Sequence, residues 1–310
     1  MTPPSEQEML GRPVHIRIEL SSTVLEGKGA LNLVHRITTQ KLDDMQEGAV
    51  RNTFICDSVG RAIDYLSVWK LSDQILLSGL PTSSNSFRNI LQKAVSWKDE
   101  IEIMIGDSSL VNLILTGRHI ERSIIGIGLD PDDISGTNYS QFGTAYIRRT
   151  KPVLNHSAFH LIGPASAVEE IEGKLQENGA TSLDISFWDY FRVQSGILGA
   201  GEIDGTNIPF ELDAAEDISL TKGCYPGQEI HARMESRGKL ARIMTKFSTN
   251  DNLVVGTHKT VSGGRIKITS LTSPTDSKTE TKHGLGLVKP ELIGKQLEML
   301  DGSILTLPKP

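Results

Sequence analysis

The stretch TKGCYPGQEIHARMESRG, residues 221–238, holds one of the chain's two cysteines, next to a Pro-Gly turn and ahead of a run of basic side chains. Pro226-Gly227 fits the two central positions of a type II turn, where glycine supplies the positive φ. A helix beginning near Gln228 would pair Glu229 with Arg233 at i,i+4 and end at Gly238. Cys224 then lies just ahead of a helix N-terminus and close to Lys222, and both features favour a thiolate. The same cysteine also reads as a small buried hydrophobe. The basic side chains Lys222, His231, Arg233, Arg237, Lys239, Arg242 and Lys246 face only Glu229 and Glu235 in this interval. They read either as a solvated face or as a site for an anionic tail.

Beyond residue 240 the texture changes to short strands, ARIMTKF, NLVVGTHKTV, GRIKITSL, GLGLV and ILTLP, separated by Gly, Ser, Thr and Asn. This predicts a small C-terminal β-barrel over 241–310, with the polar tract at 272–283 as a long exposed hairpin loop. Upstream, HIRIEL at 15–20 alternates as a strand, and residues 27–42 carry Ala30, Leu31, Leu33, Val34 and Ile37 at helical spacing. Residues 51–79 read as two or three strands with Gly60 at a hairpin turn, followed by a helix on SFRNILQKAV and a strand on DEIEIMI. VNLILTG at 111–117 opens a second unit like the first, with a strand at 158–163 and a helix over 164–180 that Pro164 starts and Gly179 ends. FWDYFRVQSGILGAGEIDG then runs from helix into a Gly-punctuated loop. The prediction is an α+β domain over 1–240 with mostly antiparallel pairing, divisible into two lobes near 110.

The 310 residues exceed what one simple core needs, and 32 basic against 38 acidic side chains give a formal charge of −6. That balance argues against wrapping nucleic acid while leaving room for a local anion site. The longest apolar runs, such as IIGIGL at 124–129, are too short to span a bilayer. No basic and apolar signal-peptide pattern opens the chain. Two cysteines far apart suit a reducing compartment, so the expected location is cytoplasmic, and Cys56 in TFICD reads as core. No dinucleotide fingerprint, Walker motif or G-x-S-x-G elbow is present. His156 and His160 stand at i,i+4 without a flanking cluster, so no metal site is expected.

KGCYPGQEIHAR closely resembles the K-G-C-Y-x-G-Q-E signature of the YgfZ-type folate-binding proteins. These are relatives of the glycine-cleavage T-protein and include a mitochondrial iron–sulfur assembly factor. GKGALNLVHRITTQ resembles that family's early helix and CDSVGRAIDYL its hairpin. FRVQSGI and IPFEL resemble its Arg-x-x-x-Gly and Pro-x-Glu elements, and GLGLV a barrel strand. The resemblance implies a T-protein-like ring of α+β lobes around a central hole for tetrahydrofolate, then a C-terminal β-barrel.

By that pattern Glu211 matches the carboxylate that binds the pterin ring, whose amino group and ring N–H a carboxylate accepts together. It also reads as an ordinary surface acid. Arg192, Tyr225, Gln228, Glu229 and Arg233 complete the implied folate set, the basic stretch suiting the glutamate tail. Two departures matter. In GRAIDYL, Asp64 fills the first position of the T-protein's Asp-Asp pair and Tyr65 the second, catalytic one. A phenol neutral at pH 7 cannot stabilise a developing iminium. Conversely, the T-protein pattern lacks Cys224.

The resemblance therefore implies a tetrahydrofolate-binding accessory factor for assembly or repair of iron–sulfur proteins, tied to tRNA thiomodification, rather than an enzyme. Cys224 would be its reactive thiol, kept ionised by Lys222, and a lone cysteine would need a partner protein or small thiol to hold a cluster. Expected partners are folate and the iron–sulfur assembly machinery or its client enzymes, without direct nucleic acid or membrane contact. The alternative is a folate-dependent aminomethyl or one-carbon transferase of the T-protein type. A third reading leaves the turn purely conformational, with no folate affinity.

Overall fold

A computed structural model describes residues 6–81, 84–272 and 281–309. Most of the 272–283 tract lies outside the described residues. The fold is α+β and is built on three sheets.

The first sheet has the strand order Val50–Cys56, Ala62–Lys70, Gln74–Gly79, Ser21–Glu26, Glu102–Ile105, every neighbour antiparallel. Ala62–Lys70 alternates buried and half-buried positions along most of its length, the period-2 signature of a sheet covered more on one face. Helix Ala30–Ile37 places Ala30, Leu33, Val34 and Ile37 on one buried stripe. With helix Ser84–Ala94 it closes a core around Leu25, Leu66, Val68 and Leu77. Gly60 turns the first hairpin with φ 77°.

The second sheet runs Thr181–Leu183, Pro13–Ile18, Leu110–Gly117, His156–Pro164, Ala145–Val153, Ser140–Phe142. Only the pairing of Pro13–Ile18 with Thr181–Leu183 is parallel. Helices Ile120–Gly126 and Ala165–Glu177 cover one face of it. Helix Ser186–Ser195 packs Tyr190 and Phe191 against Val14, Ile16 and Val153 on the other. Pro13–Ile18 lies between Leu110–Gly117 and Thr181–Leu183, so a cut near residue 110 leaves the first sheet whole and takes one strand from the second.

The two sheets meet through Val50, Trp69, Leu71 and Leu76 from the first and Ile162, Leu110 and Tyr146 from the second. Trp69 is fully enclosed there. Burying one such ring contributes about 4–6 kcal/mol at ~25 cal/mol/Å², before conformational entropy is subtracted.

The third sheet has the order Gly256–Lys259, Arg265–Thr272, Lys282–Val288, Ile243–Thr249, Ile304–Thr306, Gln296–Glu298 and curls around Phe247, Ile266, Ile268, Met299 and Leu305. Its two edges approach at a bridge between Thr260 and Met299, with Val261 N–H donating to the Glu298 carbonyl at 2.9 Å. Such curling brings the exposed edges of an antiparallel sheet together. The short strand Gln296–Glu298 has no counterpart in the sequence reading.

Candidate functional site

A cavity of about 660 Å³ opens between the first and second sheets and helix Ser186–Ser195. Its wall mixes apolar side chains (Leu20, Ile114, Trp188 and Leu198) with polar ones from facing strands. Asn52, Tyr65 and Ser67 come from the first sheet, Arg148 and His160 from the second, and Arg192 from the helix. Mixed walls and this volume are typical of small-molecule sites.

Tyr65 presents its ring to the cavity and donates its hydroxyl to Asp217 Oδ2 at 2.7 Å. Burial, followed by the Asp217 charge, pushes the phenol well above its ordinary pKa. Burial also raises the Asp217 carboxyl. Tyr65 therefore holds its proton at neutral pH and brings no negative charge to this wall. Across the cavity, His160 is buried, sits 2.9 Å from Asn112 Oδ1, and contacts the Trp69 ring edge-on. Burial drops its pKa to about 3, so it is a neutral imidazole.

Arg192 is the one member of the sequence-predicted folate set among the cavity-lining residues. It donates to Asp189 at 2.8 Å, Glu202 at 3.2 Å and Ser270 at 3.1 Å. Gly199 lets the guanidinium lie flat on the chain, since a Cβ there would fall 2.6 Å from Cζ. Gly196 ends the helix in the left-handed region at φ 74°. Glu202 is fully buried and also accepts from Gly199 N–H, Thr269 and Ser270, tying this loop to the third sheet.

Glu211, expected to meet the pterin, is engaged within the protein. Its carboxylate accepts both arms of Arg242, at 2.9 and 2.8 Å, and the Ile208 amide at 3.3 Å. It is buried and does not line the cavity, whereas Leu212 and Asp213 do. Asp213 is exposed and its side chain makes no hydrogen bond or ion pair among the described residues, and the same holds for Glu19, which also lines the cavity.

The turn at 221–238 has its expected shape. Gly227 sits at φ 86°, ψ −1°, Gln228 N–H returns to the Tyr225 carbonyl at 3.2 Å, and helix Gln228–Arg237 ends at a left-handed Gly238. Glu229 and Arg233 pair at 2.9 Å on its exposed side. Tyr225 is buried against His231. His231 reaches the Gly60 carbonyl at 2.9 Å, and Gln228 donates to the Leu220 carbonyl at 3.3 Å. This helix thus clamps the first hairpin.

Cys224 is exposed, so its reading as a buried hydrophobe does not hold. Cys56 is buried, and burial pushes its thiol pKa up. Lys222 points elsewhere than expected. Its ammonium donates to the His35 and Thr38 carbonyls at the end of helix Ala30–Ile37 and lies 5.4 Å from the Tyr225 ring centre. The orphan carbonyls of a helix C-terminus explain the attraction, and burial lowers the ammonium pKa to about 8. Among the described residues, no hydrogen bond joins the thiol to Lys222 or to the first amides of the following helix.

The architecture is that of the glycine-cleavage aminomethyltransferases. Aminomethyltransferase T of Bartonella henselae superposes with a TM-score of 0.81 over 99% of this chain and 89% of that one, at 15% identity. Among curated proteins, the chain is 26% identical over 274 residues to a chloroplastic protein of Arabidopsis thaliana that carries a provisional transferase name. The match takes in 86% of this chain but 62% of that relative's length. It is 22% identical over 298 residues to the aminomethyltransferase of Caldanaerobacter subterraneus, covering 91% of this chain and 78% of the relative. No protein-family model matches the chain. No helix among the described residues is long and apolar enough to cross a membrane.

Proposed function

We propose that the cavity between the sheets binds a reduced folate, and that the protein is a folate-dependent factor lacking aminomethyl transfer. The observation that carries this reading is the cavity itself, whose lining brings together apolar side chains, Arg148 and the exposed carboxylates of Asp213 and Glu19. A folate offers the matching groups: a flat heterocycle with paired donors, an aromatic linker and an anionic tail. Asp213, two residues past Glu211, is the carboxylate placed to accept from the pterin's amino and ring N–H groups. Tetrahydrofolate supplies nitrogen atoms that accept or deliver a one-carbon unit. The chain's own part is to bind and orient it, with Trp188 and Leu198 covering its apolar faces.

Tyr65 supports a loss of transfer chemistry. Its neutral hydroxyl, donated to Asp217, stands where the T-protein pattern has its second aspartate, so this position supplies no carboxylate of its own to a developing cation. The exposed Cys224 supports a role next to iron–sulfur proteins, in which a partner or small thiol completes the ligands of a transient cluster. The names of the curated relatives favour the second reading, a folate-dependent aminomethyltransferase. Ammonia release from an aminomethyl-lipoyl carrier, measured with tetrahydrofolate present, separates the two.

The direct test is calorimetric titration with tetrahydrofolate of wild type, Asp213→Asn, Glu211→Gln and Cys224→Ser. Saturable binding that falls about tenfold in Asp213→Asn and stays within about twofold in Cys224→Ser supports the reading. A wild type that takes up no tetrahydrofolate overturns it, and a loss confined to Glu211→Gln returns the pterin to the Arg242 pair.

A further inference from the structure

Two of the side chains that hold Arg192 on the cavity wall, Glu202 and Ser270, do not themselves line the cavity. Nε donates to Asp189 Oδ1 at 2.8 Å, Nη1 to Glu202 Oε2 at 3.2 Å and Nη2 to Ser270 Oγ at 3.1 Å. That leaves one N–H on each terminal nitrogen uncommitted among the described residues. Asp189 and Glu202 already balance the guanidinium charge, so what it offers a ligand is directed hydrogen bonds rather than net positive charge.

Glu202 and Ser270 meet through an irregularity in the third sheet. Along Arg265–Thr272, Ile268 lies opposite Gly286 and Ser270 opposite Leu285, so Thr269 is an extra residue, a β-bulge. Neighbours on a regular strand face opposite ways. Here Thr269 Oγ1 and Ser270 Oγ both reach one atom, Glu202 Oε1, at 2.6 and 2.7 Å. Bulges recur beside functional sites because they re-aim a side chain in this way. The loop is shaped to fit, since a Cβ on Gly201 would fall 2.1 Å from the Thr269 carbonyl oxygen. Earlier on the same strand, Lys267 donates to Asn207 at 3.0 Å, and Asn207 donates to the Glu202 carbonyl at 2.8 Å. A fully buried carboxylate is unfavourable unless its lone pairs are met, and this one receives the Gly199 amide, Arg192 and both hydroxyls.

We propose that Glu202, Thr269 and Ser270 are positioning residues for ligand binding. Through them the third sheet, which contributes no residue to the cavity wall, fixes the plane of Arg192 and aims its uncommitted donors at an acceptor atom of the ligand. This rests on the folate reading for the identity of the ligand and extends it to the part of the chain beyond residue 240.

The test has a ligand-free arm and a binding arm. Arginine side-chain NMR of the free protein reads the plane of Arg192, whose signals are assigned by their loss in Arg192→Lys. Its terminal N–H signals are expected to be resolved and slowly exchanging in wild type, and to merge in Ser270→Ala. Calorimetric titration with tetrahydrofolate then compares wild type, Ser270→Ala, Thr269→Val, Arg192→Met and the double variant Ser270→Ala with Arg192→Met, with melting temperatures recorded. Ser270→Ala should weaken binding about fivefold, Arg192→Met about tenfold, and the shape-conserving Thr269→Val about threefold. In the double variant, Ser270→Ala should take away no further affinity while still lowering the melting temperature, which separates positioning from stability.

Merged Arg192 signals in wild type overturn the positioning role without Ser270→Ala or Thr269→Val having to fold. Folded Ser270→Ala and Thr269→Val that bind tetrahydrofolate as wild type does also overturn it, and so does a loss from Ser270→Ala that is as large without Arg192 as with it. The folate reading survives each of these. A wild type whose Arg192 is fixed but which takes up no tetrahydrofolate removes the folate reading and leaves the hold of the third sheet on Arg192 standing.

Discussion

Tyr65 and Asp217 are 152 positions apart in sequence and 2.7 Å apart at their oxygens, and this bond closes the first hairpin onto the segment that leads into the Cys224 turn. Tyr65→Phe leaves a buried carboxylate without its donor and is expected to lower stability by about 1–3 kcal/mol. The double variant with Asp217→Asn should recover part of that loss. Thermal melts of the four proteins measure the coupling, and strictly additive losses would show that the bond contributes nothing.

A tighter constraint lies at Gly227. A Cβ there would stand 2.4 Å from the Gly60 Cα and 2.9 Å from the Asp57 carbonyl, on a backbone already at φ 86°. Gly227→Ala should lose more than about 2 kcal/mol or fail to fold, whereas Gly238→Ala, at φ 59° with open space around it, should lose about 1 kcal/mol. Urea melts of the two variants give the ranking, and equal losses would count against the Gly60 contact.

Stability should fall as the solution is acidified below about pH 6.5. His160 holds a folded pKa of about 3, and burial lowers His15, His35 and His231 as well. The unfolded chain then binds protons that the native one refuses, so unfolding free energy rises with pH across this window. His160→Gln, which can keep the Asn112 contact, should flatten the slope between pH 6.5 and 5 by up to one proton. An unchanged slope would place the acid sensitivity on the other histidines.

Thiol accounting should give one fast and one hidden cysteine. Cys224 is exposed and Cys56 is buried in the strand Val50–Cys56. A thiol-disulfide reagent is expected to label one site in the native protein and a second only in denaturant, with Cys224→Ser abolishing the fast phase. Two fast sites would mean that the first sheet opens readily.

Periodic apolar spacing carried the helices at 30–37 and 165–177, and Pro-Gly chemistry carried the turn at 226–227. Both are local signals. What stayed hidden depends on distance. Arg148 and Arg149 are adjacent and read alike, yet in a strand neighbours face opposite ways. Arg149 reaches Glu121 at 2.9 Å near the surface, while Arg148 is turned into the cavity. Glu202 lies in a Gly-rich stretch that reads as loop, and its hydroxyl partners Thr269 and Ser270 come from a sheet encoded 67 residues later. Glu211 was placed by motif, but nothing in IPFEL announces that Arg242 will occupy both its oxygens. The strand Gln296–Glu298 is too short for any period to register.

The position of Pro13–Ile18 has a consequence for how the chain is made. This strand pairs residue for residue with Leu110–Gly117, about a hundred positions downstream, and its other neighbour arrives only at Thr181. During synthesis the first apolar strand must wait on the ribosome with both edges unmatched while the five-stranded sheet assembles from later residues. Loop closure over that separation is slow, so this strand stays unpaired longer than those of the first sheet. Fusions that tether residue 13 are expected to delay folding more than fusions placed after residue 309.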